Sequence, residues 1–170
     1  MLADADSAAA AEQVLERDAE VADRIHVTWG RITLADRLAA ADGSQVRIHV
    51  RAGGEPLWVA GSVADAGRDW CKIATSSGPI YVNVEQIISV AGLSGAAADP
   101  EQRSAISAAR GFTQILRPLC RGGISVMAVT TDGRHLTGHI DRVGADHLDL
   151  ATPRGSLCLH FRAISLVKVP

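Results

Sequence analysis

Residues 61–90 read GSVADAGRDWCKIATSSGPIYVNVEQIISV, and residues 138–167 read GHIDRVGADHLDLATPRGSLCLHFRAISLV. At a constant offset of 77 the two stretches align without a gap, with identities at Gly61/Gly138, Gly67/Gly144, Asp69/Asp146, Ala74/Ala151, Thr75/Thr152, Gly78/Gly155, Ile87/Ile164 and Val90/Val167. Eight matches in thirty compare with roughly two expected from average residue usage, so the chain contains an internal repeat. The apolar positions repeat as well: Val63/Ile140, Ala66/Val143, Cys71/Leu148, Ile73/Leu150, Ile80/Leu157, Val82/Leu159 and Val84/Phe161. Their local spacing of two is that of half-buried strands. Gly67 and Gly144 mark one turn in each copy, and Gly78 and Gly155 the next.

Working outward, Val46-Arg-Ile48-His-Val50 and Ile124-Ser-Val126-Met-Ala128-Val129 supply a further strand upstream of each copy. They end at Gly53-Gly54 and at Asp132-Gly133, the second a tight-hairpin signal. Each copy therefore reads as about five short antiparallel strands, the content of a small barrel. Each is preceded by a helical stretch. Asp99-Pro100-Glu101-Gln102 is a helix start, followed by Ile106, Ala109, Phe112, Ile115, Leu116 and Leu119 at helical spacing, with Pro118 expected to end or kink the helix. Leu34 and Leu38 are expected to pack on the first copy as Phe112 and Leu116 do on the second. Further upstream, Val14, Val21, Ile25 and Ile32 form a heptad-like seam, weakened at Gly30. The resulting division is an acidic, Ala-rich helical arm over 1–33, a first repeat over 34–93, a linker over 94–99, and a helix plus second repeat over 100–170.

The chain has 170 residues, 47% apolar and 21% charged, an ordinary globular composition. No apolar run reaches the roughly 18 residues of a membrane span, and the first ten residues carry two Asp and no base. No membrane association is expected, and a cytoplasmic location is the default. The net charge of −2 hides a gradient, with −5 over residues 1–42, −1 over 43–100 and +4 over 101–170. An acidic front end and a basic back end suit an anionic ligand at the back, or the front of one copy docking on the back of another.

Asp132-Gly-Arg-His-Leu-Thr-Gly-His-Ile140 resembles the first Sm motif, especially its form NGIKLQGHI in the bacterial RNA chaperone Hfq. His160-Phe-Arg-Ala-Ile-Ser165 resembles the second motif, YKHAIS in Hfq. The resemblance to the Sm-like family covers nearly all of the second copy. It implies a mostly β fold with two tandem five-stranded Sm-like barrels, each preceded by a helix, behind an N-terminal helical arm. The whole chain also resembles uncharacterised bacterial proteins with two such repeats, to which no function attaches. On the Sm pattern, Arg162 stands where a family Arg stacks on or pairs with a base, His160 lies at the same rim, and Asp149 maps to the uridine-reading Asn. Arg134 lies within the first motif. These four are the candidate RNA or anion-binding residues. In the first copy the matching positions are Glu85 and Lys72, and Glu85 would repel phosphate.

Other chemistry finds little footing in the sequence. His135, His139, His147 and His160 fall in the second copy, but on a strand His135 and His139 would stand roughly 13 Å apart, so no metal site is expected. Asp141, Asp146 and Asp149 read as strand and loop polar positions. Cys71, Cys120 and Cys158 are an odd number without C-x-x-C spacing, which opposes a disulfide scaffold. Gly92-Leu-Ser-Gly95 lacks the strand–helix context of a nucleophile elbow, and no phosphate or dinucleotide loop is present. The expectation is a protein without enzymatic activity and without a cofactor. The helix at 100–116 has no partner helix at helix-turn-helix spacing, so DNA reading is not expected. Two functions then compete: an assembly or protein-interaction module, or a weak RNA-binding regulator acting through the second copy. Exposed sheet edges favour a homo-oligomer, with Val14, Val21, Ile25, Ile32 and Trp70 as candidate contact residues to another copy or to another protein.

Overall fold

The alternating apolar residues form strands where the sequence places them, and the offset of 77 carries through the secondary structure. A computed structural model describes residues 29–95 and 110–170. The chain divides into two units, Met1–Thr33 and Leu34–Pro170, and every strand among the described residues belongs to the second. That unit begins with helix α1 (Leu34–Ala40), then β1 (Gln45–Val50), β2 (Leu57–Ala66), β3 (Trp70–Thr75), β4 (Gly78–Asn83), a 3-10 turn η1 (Val84–Gln86) and β5 (Ile87–Ala91). After α2 (Phe112–Arg121) the same series returns as β6 (Ser125–Thr130), β7 (His135–Val143), β8 (His147–Thr152), β9 (Gly155–His160), η2 (Phe161–Ala163) and β10 (Ile164–Lys168). Both β2 and β7 are bulged at the same place, after Val63 and after Ile140.

The repeated glycines have a steric cause. A Cβ on Gly61 would lie 2.3 Å from the Ala74 carbonyl oxygen, and one on Gly138 would lie 2.1 Å from that of Ala151. At both places the neighbouring strand leaves no room for a side chain.

The expected pair of tandem five-stranded barrels is not what forms. Among the described residues, ten strands join one open antiparallel sheet in the order β5-β1-β2-β3-β4-β10-β6-β7-β8-β9. The join is the pairing of β4 with β10, which sets Val82 opposite Leu166, Tyr81 opposite Val167 and Ile80 opposite Lys168. The physical reason is that each half completes its core with side chains of the other. Val129 and Leu166 from the second half are buried in the cluster built on Leu38, Ile48, Val63, Ile73 and Val82. Trp70 from the first half is buried in the cluster of Phe112, Leu116, Ile140, Leu148, Leu150 and Ile164. Separating the halves would uncover Val82, Val129 and Leu166 for up to roughly 5–9 kcal/mol, a figure of the order of a whole domain's stability of about 5–15 kcal/mol.

Leu38 and Leu34 do pack on the first cluster, and Phe112 and Leu116 in the second. The second helix differs from expectation. The start signal at Asp99–Gln102, with Ile106 and Ala109, lies outside the described residues, as do Val14, Val21 and Ile25. The described helix is capped at Gly111 and carries Pro118 inside it, running on to Arg121. Its first N–H, that of Phe112, donates at 2.7 Å to the carboxylate of Asp69, a residue of the first repeat. Trp70 is 1% exposed and its Nε1–H donates to the Arg110 carbonyl at 2.8 Å. It is a core residue that anchors the approach to α2 and offers no outer surface to a partner.

One buried polar side chain pins the join. Asn83, 4% exposed, donates from Nδ2 to the carbonyls of Phe161 and Ile164, both at 3.1 Å, and its Oδ1 accepts from the Glu85 N–H at 3.0 Å. The repeat equivalent, His160, keeps only the local half of this arrangement, its Nδ1 accepting from the Arg162 N–H at 3.1 Å. Asn83→Ala removes the donor that two carbonyls of the opposite half share, and should lower unfolding free energy in urea by about 2–3 kcal/mol. His160→Ala, which loses only a cap on the exposed side, should cost about 1 kcal/mol or less. Equal losses for the two variants would show that the join does not depend on Asn83.

Candidate functional site

The β4–β10 join creates a cleft of about 440 Å³ between the ends of the two repeats. Asp69, Asn83 and Glu85 line it from the first half, and their repeat equivalents Asp146, His160 and Arg162 from the second. Arg68, Phe112 and Phe161 complete the lining, the two phenyl rings meeting edge to face at 5.6 Å. The cleft is thus walled by matching positions of both copies, and the turns η1 and η2 present Glu85 and Arg162 to each other.

Charge decides what such a cleft can hold. Arg162 is 80% exposed and its Nε lies 4.0 Å from Glu85 Oε2, a contact of under about 1 kcal/mol at this exposure. Arg68 is drawn to Asp69 at 3.3 Å. Asp146 accepts from His147 Nδ1 at 2.8 Å and stands 3.7 Å from His160 Nε2. The hydrogen bond from His147, with the charges of His147 and His160 behind it, holds the Asp146 carboxyl below the usual range. Three carboxylates against two guanidiniums give a wall of mixed sign, unlike the dominantly positive surface on which phosphate binding depends.

The sequence candidates are therefore dispersed. Arg162 and His160 meet in the cleft. Arg134 lies elsewhere, in the β6–β7 turn, and lines a second cavity of about 400 Å³ with His135 and Arg154. Asp149 lies on β8 opposite Cys158 of β9. Ile32, in the unit Met1–Thr33, is half-buried.

Reading histidines along the chain overlooked a grouping that forms across strands. His147 and Asp149 project from the same face of β8, and Cys158 and His160 stand opposite them on β9. A nitrogen of His147, a carboxylate oxygen of Asp149 and Sγ of Cys158 all lie within 4.8 Å of one another. Partial desolvation, then the hydrogen bond to Asp149 and the charges of Asp149 and Asp146, push the Cys158 thiol up. The signal available in the sequence was the pair of i, i+2 spacings facing each other across a hairpin, which is a property of two strands together. Cys71 is different in kind: it is fully buried, and burial pushes its thiol up to about 12.

A second exposed feature lies on the first half. Trp58, 43% exposed, is stacked on His49 at 4.6 Å and carries the Arg47 guanidinium 4.5 Å from its ring centroid, so it is engaged by two side chains of its own sheet. Among the described residues no helix is long and apolar enough to cross a membrane. Compared with protein families, with curated proteins and with solved structures, the chain matches none of them.

Proposed function

We propose that this protein is a non-enzymatic self-assembly module, an Sm-like repeat pair whose two sheet edges engage further copies or another protein. The observation that carries the reading is the join inside the chain. There, one repeat's fourth strand pairs with the other repeat's fifth, β4 with β10. The outer strands of the open sheet are the two remaining members of the same kind, β5 and β9. By the offset of 77, β9 of one copy and β5 of the next would repeat the internal register, with Leu159 opposite Ser89 and Cys158 opposite Val90. Such a head-to-tail contact is heterologous, and it ends in a ring where the rotation closes.

Burial supports this. Ser165 on β10 is 0% exposed, whereas Ile88, its equivalent on β5, is 55% exposed. An apolar side chain on an unpaired edge is a feature that monomers ordinarily avoid. The mixed charge of the cleft weighs against the RNA alternative, because Glu85 and Asp146 stand beside Arg162.

Ile88→Lys places a charge on the edge at a position that contributes little to the core. Full-length protein at micromolar concentration should give an oligomeric mass in light scattering, and Ile88→Lys should reduce it towards that of one chain while leaving the circular dichroism spectrum unchanged. A strictly monomeric parent would refute the reading. For the RNA alternative, protein purified at low salt should show no nucleic-acid absorbance and no binding to uridine- or adenine-rich oligomers. Binding that falls steeply with salt and disappears in Arg162→Glu would transfer the function to the second repeat's rim.

A further inference from the structure

We propose that His147, Asp149 and Cys158 form a binding site for a single zinc-type divalent cation on one face of the β8–β9 hairpin, whose outer strand β9 is also the edge that the assembly reading pairs with β5. Their three donor atoms converge within 4.8 Å of one another. Imidazole nitrogen, thiolate sulfur and carboxylate oxygen together are the ligand set of a borderline-soft cation such as Zn²⁺, which takes three protein ligands and one open position in its exposed sites. Tetrahedral bonds of about 2.0–2.3 Å put neighbouring ligand atoms roughly 3.5 Å apart. Closing from the observed spacing takes about an ångström of side-chain rotation, which the exposed Cys158 and the half-buried His147 and Asp149 can supply.

The first repeat provides the internal control. At the positions equivalent to His147, Asp149, Cys158 and His160 it carries Trp70, Lys72, Tyr81 and Asn83. There the face is closed by packing: Trp70 meets Tyr81 at 6.4 Å, and the Lys72 ammonium lies 5.9 Å over the Tyr81 ring. On the same backbone, the second repeat replaces all four with residue types that can ligate a metal. It also loses the packing, because β9 is an outer strand and Cys158 is exposed where Tyr81 is flanked by β10. No requirement of the fold calls for that exchange, since the first repeat builds the same strands without it.

An outer ligand is also in place. His147 Nδ1 is bound to the Asp146 carboxylate at 2.8 Å, the carboxylate–histidine arrangement that fixes the tautomer of metal-binding histidines and leaves Nε2 with its lone pair. His160, committed through Nδ1 to the Arg162 N–H, stays outside the ligand set, and the fourth position opens to solvent.

The test uses the full-length chain, reduced, freed of metal by a chelator, and titrated with Co²⁺ and then Zn²⁺. One cobalt per chain should bind with thiolate-to-cobalt charge-transfer absorption in the near ultraviolet, and one equivalent of Zn²⁺ should abolish the band. Cys158→Ser should remove the band and Cys120→Ser should keep it. Asp149→Lys, which installs the first repeat's residue, should abolish binding with the circular dichroism spectrum unchanged. Asp146→Asn should retain the band and weaken affinity roughly 10–100-fold. The proposal fails if stoichiometric cobalt gives no such band, if the band survives Cys158→Ser, or if Cys120→Ser removes it. The absorption is read independently of particle mass, so a monomeric parent chain would leave this result untouched.

Discussion

The pairing of β4 with β10 is the constraint from which the rest of the molecule follows. Two repeats that each lacked this pairing would present four strand edges and two incomplete cores. With it, the chain has two edges and two clusters, each closed by residues of the other repeat. The hydrogen bonds of Asn83 to the Phe161 and Ile164 carbonyls fix the angle at which the repeats meet. Asp69 anchors the first turn of α2 from across the same join, and the Ser165 hydroxyl donates to the Arg51 carbonyl. The cleft, its facing Glu85 and Arg162, and the difference between a covered β4 and an open β9 are geometric results of that one pairing.

The repeat also separates what the fold needs from what a given copy adds. Gly61 and Gly138 recur because a neighbouring carbonyl occupies the Cβ position. Thr75 and Thr152 recur because each hydroxyl donates to the carbonyl of the following turn glycine, at 2.7 and 2.8 Å. Positions that differ sharply, such as Tyr81 and Cys158, answer to their surroundings: one strand is internal to the sheet and the other is at its border. The differences within a duplicated unit therefore identify chemistry that the scaffold does not require.

Strand content and turn glycines could be read from the chain because they depend on residues close in sequence. Cys71-x-Ile73 and Ile80-x-Val82 state their period directly, and Leu148-x-Leu150 and Leu157-x-Leu159 state it again. Whether the two sets of strands close separately or join was not legible. That outcome depends on Val82 meeting Leu166 across more than eighty residues, and a pattern of period two is the same in a barrel and in an open sheet. The site divides along the same line. Arg162 and His160 could be named from their motif, but the Glu85 carboxylate that offsets Arg162 comes from the other repeat. Cys158 and His147, eleven residues apart, become neighbours only through the hairpin.

The position of the last strand has a consequence for how the chain acquires its structure. The first cluster is complete only when Leu166 and Val129 enter it, so a ribosome-bound chain that has emerged as far as β5 holds a partly formed core and an unpaired β4. Pairing over so long a span closes a large loop, and folds with many such contacts form slowly. Until β10 arrives, the exposed side of β4 can accept the equivalent strand of another molecule as readily as its own. In that interval exchange of β10 between chains and correct folding draw on the same contacts, and local protein concentration decides between them.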